Sequence, residues 1–292
     1  MRFRFVQEHR GATSVGRACQ VLGLSRSGYY RQRGRSISRR QRVNDLLLVR
    51  IRESYEQSRR CYGALKVHRD LLDWGLRCGH NRVARLMRLA GLRAKSQRRF
   101  RPMPRTSKPE AVAPNRLNQV FLAPRPNQVW VTDITYVWTR EGWLYLAVVL
   151  DLFSRYVVGW AVSGSPDTAL TRTALDMAVA RRAPAPGLLH HSDQGCQYTA
   201  RDYQLQLTLR HITVSMSRRG NCYDNAAVES FFHLLKIEEV HHQKYETRKE
   251  AGANIVDYIE MFYNSRRRHS TLGYLSPAEY ERQNQHAFLP VH

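Results

Sequence analysis

The chain has 292 residues and is strongly basic, with 47 Lys and Arg against 24 Asp and Glu, a formal net charge of +23 and a pI near 10.5. A hydrophobic fraction of 42% and an aromatic fraction of 10% exclude a disordered chain. The longest apolar run, residues 144–150, is far too short to span a bilayer, and the first residues lack an apolar signal segment. The five cysteines show no paired spacing and indicate reduced thiols. We therefore expect a soluble, cytoplasmic protein that does not enter membranes.

The excess positive charge lies in the first part of the chain. Residues 1–126 hold 30 Lys and Arg against 7 Asp and Glu, whereas residues 127–292 hold 17 of each. A segment this basic attracts a polyanion through the release of condensed counterions, so we expect it to bind nucleic acid. A membrane-surface module is the alternative, but the cations accompany helix-turn-helix patterns rather than one amphipathic stripe.

A first helix-turn-helix pattern lies within residues 1–35. A helix from Ser14 to Leu22 starts behind a serine cap and stops at Gly23, and a second helix follows in L-S-R-S-G-Y-Y-R. This arrangement places Arg26 and Tyr30 near a DNA backbone or groove. A small helical hairpin without DNA contact is the alternative.

A second helix-turn-helix pattern lies within residues 36–93. A helix is predicted from about Val43 to Gln57, followed by two shorter helices that are separated at Gly75. The last helix is predicted to start behind an Asn81 cap and to end at Gly91. Its apolar positions face a core, and its cations line another side: Arg82, Arg85 and Arg88.

An α/β domain follows a basic, proline-containing linker that covers residues 94–126. Strand and helix patterns alternate within residues 127–240, beginning with three consecutive antiparallel strands. The predicted elements are strands at 127–138, 143–151, 156–162, 188–190 and 212–215, and helices at 166–182, 199–209 and 224–240. Because the strands are apolar on both faces, helices must cover both sides, and we predict a central five-stranded mixed sheet.

Three carboxylates stand out in this domain. Asp133 lies in the first strand, Asp193 directly follows the fourth strand in H-S-D-Q-G, and Glu229 lies in the helix after the fifth strand. Adjacent central strands and a helix across their ends can bring the three together. Three carboxylates at one point make a hard oxygen site for Mg²⁺ or Mn²⁺, which suits phosphoryl transfer. Lys236 lies seven residues after Glu229 on the same helical face, where it would meet a phosphate.

Each carboxylate also has a structural interpretation. An aspartate in a strand often serves as a hydrogen-bond partner, Asp193 can close a turn, and Glu229 can be an ordinary solvent-facing helix residue. Asp151 and Asp224 are expected to be structural only, since Asp151 ends a strand and Asp224 is placed to cap a helix.

Four stretches of the chain read W-V-T-D-I-T, H-S-D-Q-G-C-Q-Y, S-R-R-G-N-C-Y-D-N-A-A-V-E-S-F-F-H-L-L-K and Y-N-S-R-R-R-H-S-T-L-G-Y-L-S-P. They closely resemble the second-frame (OrfB) transposases of the IS3 family of insertion sequences, and the resemblance spans essentially the whole chain. It implies an RNase H-like integrase catalytic core of the DDE superfamily. Matched motif by motif, it implies a catalytic, metal-binding triad of Asp133, Asp193 and Glu229, with Lys236 as the basic residue that follows.

The resemblance implies a DNA transposase that cleaves and joins insertion-sequence ends by two-metal phosphoryl transfer. Asp133 would bridge two Mg²⁺ ions, with Asp193 and Glu229 each holding one. The expected partners are the terminal inverted repeats, the target DNA, further copies of the chain on paired ends, and an upstream first-frame (OrfA) protein or fusion. The expected location is the bacterial cytoplasm, at the nucleoid.

Further cations are predicted to contact DNA phosphates. Arg218 and Arg219 precede Glu229 in a small polar loop, and a helix from about Thr247 to Tyr263 leads into a basic segment within residues 241–292. The predicted contacts in that segment are Arg266, Arg267, Arg268 and His269. A solvated helix end is the alternative for these four residues.

Two other functions remain open at this point. A structure-specific nuclease on the same fold would cut DNA without joining it. A non-enzymatic regulator would bind DNA and would not depend on Asp133.

Overall fold

A computed structural model describes residues 2–33, 38–95, 113–119, 121–218 and 225–284. The first unit contains three short helices, α1 (Arg2–Glu8), α2 (Val15–Val21) and α3 (Arg26–Arg33), around a small core that includes Val6 and Cys19. The predicted α2 and α3 are confirmed, and the Ser14 hydroxyl caps α2 by accepting the N–H of Arg17. The sequence patterns did not predict α1.

The second helical unit consists of α4 (Arg39–Gln57), α5 (Ala64–Asp73) and α6 (His80–Leu89). Its core includes Ile51, Val67, Leu71 and Val83. Helix α4 begins earlier than predicted because the Ser38 hydroxyl accepts the N–H of Gln41 at 3.1 Å and so caps it at Arg39. The predicted Asn81 cap was wrong, since α6 begins one residue before Asn81 and Gly79 is its N-cap.

The predicted five-stranded mixed sheet is confirmed, with the order β3-β2-β1-β4-β5. Strand β2 is antiparallel to both its neighbours, β1 and β3, whereas β4 pairs in parallel with β1 and β5 in parallel with β4. The strands are β1 (Val129–Thr139), β2 (Gly142–Asp151), β3 (Val157–Ser163), β4 (Leu189–Ser192) and β5 (Thr213–Met216). Strand β4 therefore lies beside β1 through a crossover, although 49 residues separate the end of β1 from its start.

Helices cover both faces of the sheet, as the two-sided apolar strands require. Alternate residues of one strand enter different cores, so Trp130 packs with one set of helices and Val131 with the other. One face holds α7 (Thr168–Arg182), α8 (Cys196–Thr199) and α9 (Arg201–Leu209), and the other holds α10 (Ala226–Glu238) and α11 (Arg248–Asp257). No helix among the described residues is long and apolar enough to cross a membrane.

The C-terminal extension continues α11 as a π-helix, Tyr258–Asn264, where the sequence predicted one uniform helix to Tyr263. The side-chain amide of Asn264 accepts the backbone N–H of Val157 and donates to its carbonyl. The extension thereby pairs with the start of β3, and it ends in α12 (Pro277–Asn284).

The closest contact between α7 and the sheet occurs at Gly159 in β3. A Cβ atom there would lie 2.2 Å from the backbone oxygen of Ala174 and 2.8 Å from the Cβ of Ala178. Neither atom is the mobile end of a side chain, so the helix would have to move away from the strand. The absence of a side chain at this position sets the spacing between α7 and the sheet.

We expect Gly159→Ala to lower the free energy of unfolding by about 3 kcal/mol, near the upper end of the range for overpacked cores. Urea unfolding followed by circular dichroism would measure the change. The matched control is Gly252→Ala in α11, where the new Cβ would meet only Val162 at 3.6 Å and should be neutral or stabilising. Equal stabilities for the two variants would contradict the close approach of α7.

Candidate active site

Asp133 and Asp193 lie at the same edge of the sheet. The parallel register of β1 and β4 pairs Val131 with His191. Asp133 lies within β1, two residues past its last pair with β4, and Asp193 lies two residues past the same pair, directly after β4, so both stand beside the carboxyl end of β4. Both side chains are partly buried. This edge is where open α/β sheets place their ligand sites.

The turn after β4 orients the Asp193 carboxylate. Its Oδ1 atom accepts the backbone N–H of Gly195 at 2.9 Å, and its carbonyl accepts the Ser192 hydroxyl at 3.0 Å. A Cβ at Gly195 would lie 2.9 Å from that same Oδ1 atom. The turn therefore needs glycine beside the carboxylate rather than for a special backbone angle, because the φ of Gly195 is −61°.

A buried tyrosine lies against β1 next to Asp133. The hydroxyl of Tyr198 lies 3.2 Å from the hydroxyl of Thr132, within the buried region behind the site. Burial raises the pKa of Tyr198 well above its ordinary value, and the negative charges of Asp133 and Asp193 raise that pKa further. The hydroxyl therefore stays protonated, and it donates to the Thr132 hydroxyl, because that group donates in turn to the carbonyl of Val148 at 2.8 Å.

Helix α10 carries Glu229 in its first turn and packs along β1. Two side-chain contacts with β1 locate this part of the chain. Before the helix, Asn225 donates from Nδ2 to the carbonyl of Thr132 at 3.2 Å. Near its end, the Lys236 ammonium lies 5.1 Å from the ring centroid of Tyr136. Glu229 is exposed and lies between these two contacts, which flank Asp133 in β1. The helix therefore runs beside the strand that bears the first aspartate.

The carboxylates do not form a closed metal cage. Within the described ranges, no group of three His, Cys, Asp or Glu side chains is placed to hold one ion. Asp133 and Asp193 share an edge, and Glu229 projects from the helix beside it. The donor chemistry nevertheless fits a hard divalent cation, because carboxylate oxygens are its preferred ligands.

Asp151 has a structural role. Its carboxylate is buried and accepts the backbone N–H groups of Asn127 at 2.6 Å and Phe153 at 2.8 Å. Burial raises the pKa of Asp151 to about 6, against the opposing effect of these two hydrogen bonds. The residue thus joins the start of β1 to the turn after β2. Asp224, which was predicted to cap a helix, lies outside the described residues, as does Arg219.

Three of the four predicted DNA contacts in the C-terminal extension have protein partners instead. Arg267 is 4% exposed and forms a buried ion pair with Glu238 at 2.6 Å. Arg268 pairs with Asp70 of α5 at 2.6 Å, and His269 is buried. Burial and the charge of Arg267 lower the pKa of His269 well below its ordinary value.

These contacts correct the prediction that Arg267, Arg268 and His269 touch DNA phosphates. A guanidinium that is buried against a carboxylate must keep that partner, because an uncompensated buried charge is strongly unfavourable. Arg266 remains exposed. The basic segment therefore joins the C-terminal extension to the second helical unit.

The other predicted cations lie in several settings. Arg88 in α6 and Arg26 in α3 are exposed, as is Tyr30. Arg82 donates from Nε to the Asn44 side chain at 2.9 Å, which holds it against α4. In the same helix as Arg88, the Nη2 atom of Arg85 is buried without a hydrogen-bond partner among the described residues. Arg218 is exposed beside an open cleft near the Asp193 turn.

Three family models match the chain. The description "Integrase core domain" matches residues 123–222 and again, in a second model, residues 229–284. The description "HTH-like domain" matches residues 42–100. The matches divide the chain as the fold does, with a helical unit followed by the sheet domain.

The chain is also similar to curated proteins over nearly its whole length. It is 44% identical, over 90% of this chain and 96% of the relative, to "Insertion element IS600 uncharacterized 31 kDa protein" from Shigella sonnei. It is 42% identical, over 97% of this chain and 99% of the relative, to "Transposase InsF for insertion sequence IS3A" from Escherichia coli (strain K12).

Two solved structures are more distant. The catalytic core domain of BIV integrase has a TM-score of 0.42 and 19% identity, over 55% of this chain and 97% of that chain. The HTLV-2 integrase catalytic core domain in complex with magnesium has a TM-score of 0.39 and 17% identity, over 54% of this chain and 98% of that chain.

The five-stranded mixed sheet and the matching family models define an integrase core domain that follows a helix-turn-helix-like, DNA-binding domain. The protein is thus an enzyme of the polynucleotidyl transferase type. The chain belongs to the IS3 family of insertion-sequence transposases, with relatives 42% and 44% identical over at least nine-tenths of its length.

We expect Gly195→Ala to reduce DNA strand-transfer activity about 100-fold or more, with little loss of stability. The new methyl group would displace the Asp193 carboxylate, and a small misplacement of a group at the reaction site can cost that much activity. A strand-transfer assay together with thermal unfolding would measure both effects. The matched control is Gly63→Ala, at the N-cap of α5, where the new Cβ meets no atom within 4 Å. Full activity in Gly195→Ala would contradict a role for the position of Asp193.

Proposed function

We propose that this transposase cleaves and joins insertion-sequence ends by metal-dependent phosphoryl transfer, with Asp133, Asp193 and Glu229 as its catalytic residues. The observation that carries the proposal is the placement of Asp133 and Asp193 two residues past the last backbone pair of the parallel strands β1 and β4, next to the helix that bears Glu229. Two Mg²⁺ or Mn²⁺ ions held there would activate the attacking oxygen and offset phosphate charge. Asp133, Asp193 and Glu229 would hold these ions.

The remaining groups of the site hold the carboxylates and the DNA in position. The Gly195 N–H directs one oxygen of Asp193, and Asn225 fixes the start of α10 against β1. The Tyr198 hydroxyl donates to the Thr132 side chain, next to Asp133, and so supports this part of β1. Attack by water and then by a DNA 3′-OH depends on this positioning and needs no nucleophilic side chain.

The proposal requires Glu229 to join the two aspartates when the ions and DNA bind. Glu229 is exposed, whereas its neighbours Val228 and Phe231 are buried and hold α10 in place. The Glu229 side chain therefore lies outside the core, so its approach to the sheet edge would leave the packing of α10 intact.

The proposed DNA partners are the terminal inverted repeats and the target site. Lys236, Arg218 and Arg219 would contact phosphates near the carboxylates, and Arg266 further away. In the helical units, the proposed contacts are Arg26, Tyr30, Arg82, Arg85 and Arg88. The same proposal includes the assembly of several copies on paired ends and cooperation with an upstream first-frame protein. It also includes action at the nucleoid in the cytoplasm.

The decisive experiment is strand transfer of a labelled, pre-cleaved insertion-sequence end with Mg²⁺. We expect joined product from the wild type and at least about a 100-fold loss in Glu229→Gln, which retains the shape of the side chain and removes its charge. Chelation of the metal should abolish the reaction in both proteins. Asp202→Asn, an acid-to-amide change on the exposed side of α9, is the control and should remain active.

The same experiment separates the alternative functions. Cleavage of an uncut end without joining would favour a nuclease. DNA binding without either reaction, unchanged in Glu229→Gln, would favour a regulator or a requirement for the upstream protein, and the fused form would be tested next.

We expect Arg88→Ala to weaken DNA binding about equally for all DNA sequences. It should also reduce the slope of log affinity against log salt concentration by about 1, because one phosphate contact releases about one counterion. Fluorescence anisotropy across a salt series would measure the slope. Arg172→Ala, at an exposed position of α7, is the control and should leave the slope unchanged. Identical slopes for Arg88→Ala and wild type would remove α6 from the proposed interface.

A further inference from the structure

Three aromatic side chains form an exposed cluster at the hairpin end of β1 and β2. We call Tyr136, Trp138 and Trp143 the aromatic cluster. They are 43%, 59% and 41% exposed, and Trp138 is the most exposed tryptophan of the chain. Trp143 packs edge to face against both other rings, with centroids 5.0 Å from Tyr136 and 4.8 Å from Trp138. Such pairs fix the rings, while much of their surface remains open to solvent.

Sheet packing does not account for this exposure. Tyr136 and Trp138 continue the side of β1 that carries Trp130 and Ile134 into the core under α7 and α9. Beyond Ile134 the large side chains on that side, Tyr136 and Trp138, are exposed. A protein rarely leaves several large rings together in water unless they bind something.

The cluster lies close to the proposed reaction site and beside a positive charge. Tyr136 follows Asp133 by three residues, and Trp138 by five, which corresponds to about 10 and 17 Å along an extended strand, and alternation directs their side chains to the face opposite to that of Asp133. The Lys236 ammonium lies 5.1 Å from the Tyr136 ring centroid. Lys236 shares the helix α10 with Glu229, so the cation links the aromatic cluster to the carboxylates.

This combination matches single-stranded DNA better than a protein partner. Nucleotide bases stack on aromatic side chains whatever their sequence, and a nearby cation meets the phosphate backbone. A distance of 10–17 Å corresponds to about three to five nucleotides at the duplex spacing of 3.4 Å per nucleotide. An apolar protein surface would gain little from the ammonium group.

We propose that the aromatic cluster stacks unpaired bases of the DNA end, within about five nucleotides of the phosphate that reacts. The inference rests on the proposed function, because it takes the carboxylates as the position of that phosphate. It assigns Tyr136, Trp138 and Trp143 as base-binding residues that help to hold the end of the duplex open.

The test is DNA binding by the full chain without metal, so that no reaction is needed. Fluorescence anisotropy would compare a blunt end duplex with the same duplex carrying five unpaired thymidines at its end. We expect the wild type to prefer the unpaired end, and Trp138→Ala to lose about fivefold or more of affinity for it, as expected for one lost base stack. Trp138→Phe, which keeps a ring, should restore most of the preference.

The matched control is Trp74→Ala, which removes a 39% exposed tryptophan from the second helical unit and should leave the preference unchanged. An unchanged preference in folded Trp138→Ala would overturn the proposal. If that variant changed the oligomeric state measured by light scattering and left the preference intact, the cluster would be a protein interface instead, which also overturns it.

A second measurement needs no variant. A 2-aminopurine placed among the unpaired bases should lose fluorescence on binding to the wild type, because it stacks on a ring. Unchanged fluorescence would count against the proposal, even if Trp138→Ala failed to fold. The outcome is separate from that of the strand-transfer assay. Loss of strand transfer in the wild type with stacking intact would remove the proposed function only, and joined product without stacking would remove only this inference.

Discussion

The parallel pairing of β1 with β4 is the constraint on which the rest of the site depends. Three backbone pairs, ending at Val131 and His191, set the register of two strands that are far apart in sequence. A shift of one residue would turn Asp133 into the opposite face of the sheet, because strand side chains alternate. The mixed sheet and the helices that cover it hold the two strands in that register.

Charge pairs join the C-terminal extension to α10 and to the second helical unit. Arg267 and Glu238 are both nearly inaccessible, and the Tyr258 hydroxyl donates to the same carboxylate at 2.8 Å. Arg268 extends the network to Asp70 in α5. Such pairs contribute less to net stability than to a unique arrangement, because desolvation offsets much of their attraction, while loss of one partner is costly. They fix the DNA-binding helices relative to the catalytic sheet.

Most of the fold was predictable because its signals are local. Alternating β-branched and aromatic residues located β1, and the serine before α2 and the glycine after it marked the limits of that helix. The errors came from competing local signals. Gly79 rather than Asn81 precedes α6, and Ser38 starts α4 early, since more than one polar or small residue near each helix end could serve as a cap.

The sequence by itself determined the residue types, their spacing and their periodicities. From these follow the helices and strands, the basic first half of the chain, and the choice of Asp133, Asp193 and Glu229 as candidate catalytic residues. Tertiary structure alone decided which cations are available to DNA, because the burial of Arg267 depends on a partner 29 residues away in the chain. It also decided that the rings of Tyr136 and its neighbours stay exposed beside the site, since that depends on where the covering helices end. Periodicity describes one element at a time, whereas burial and charge pairing depend on how distant elements pack together.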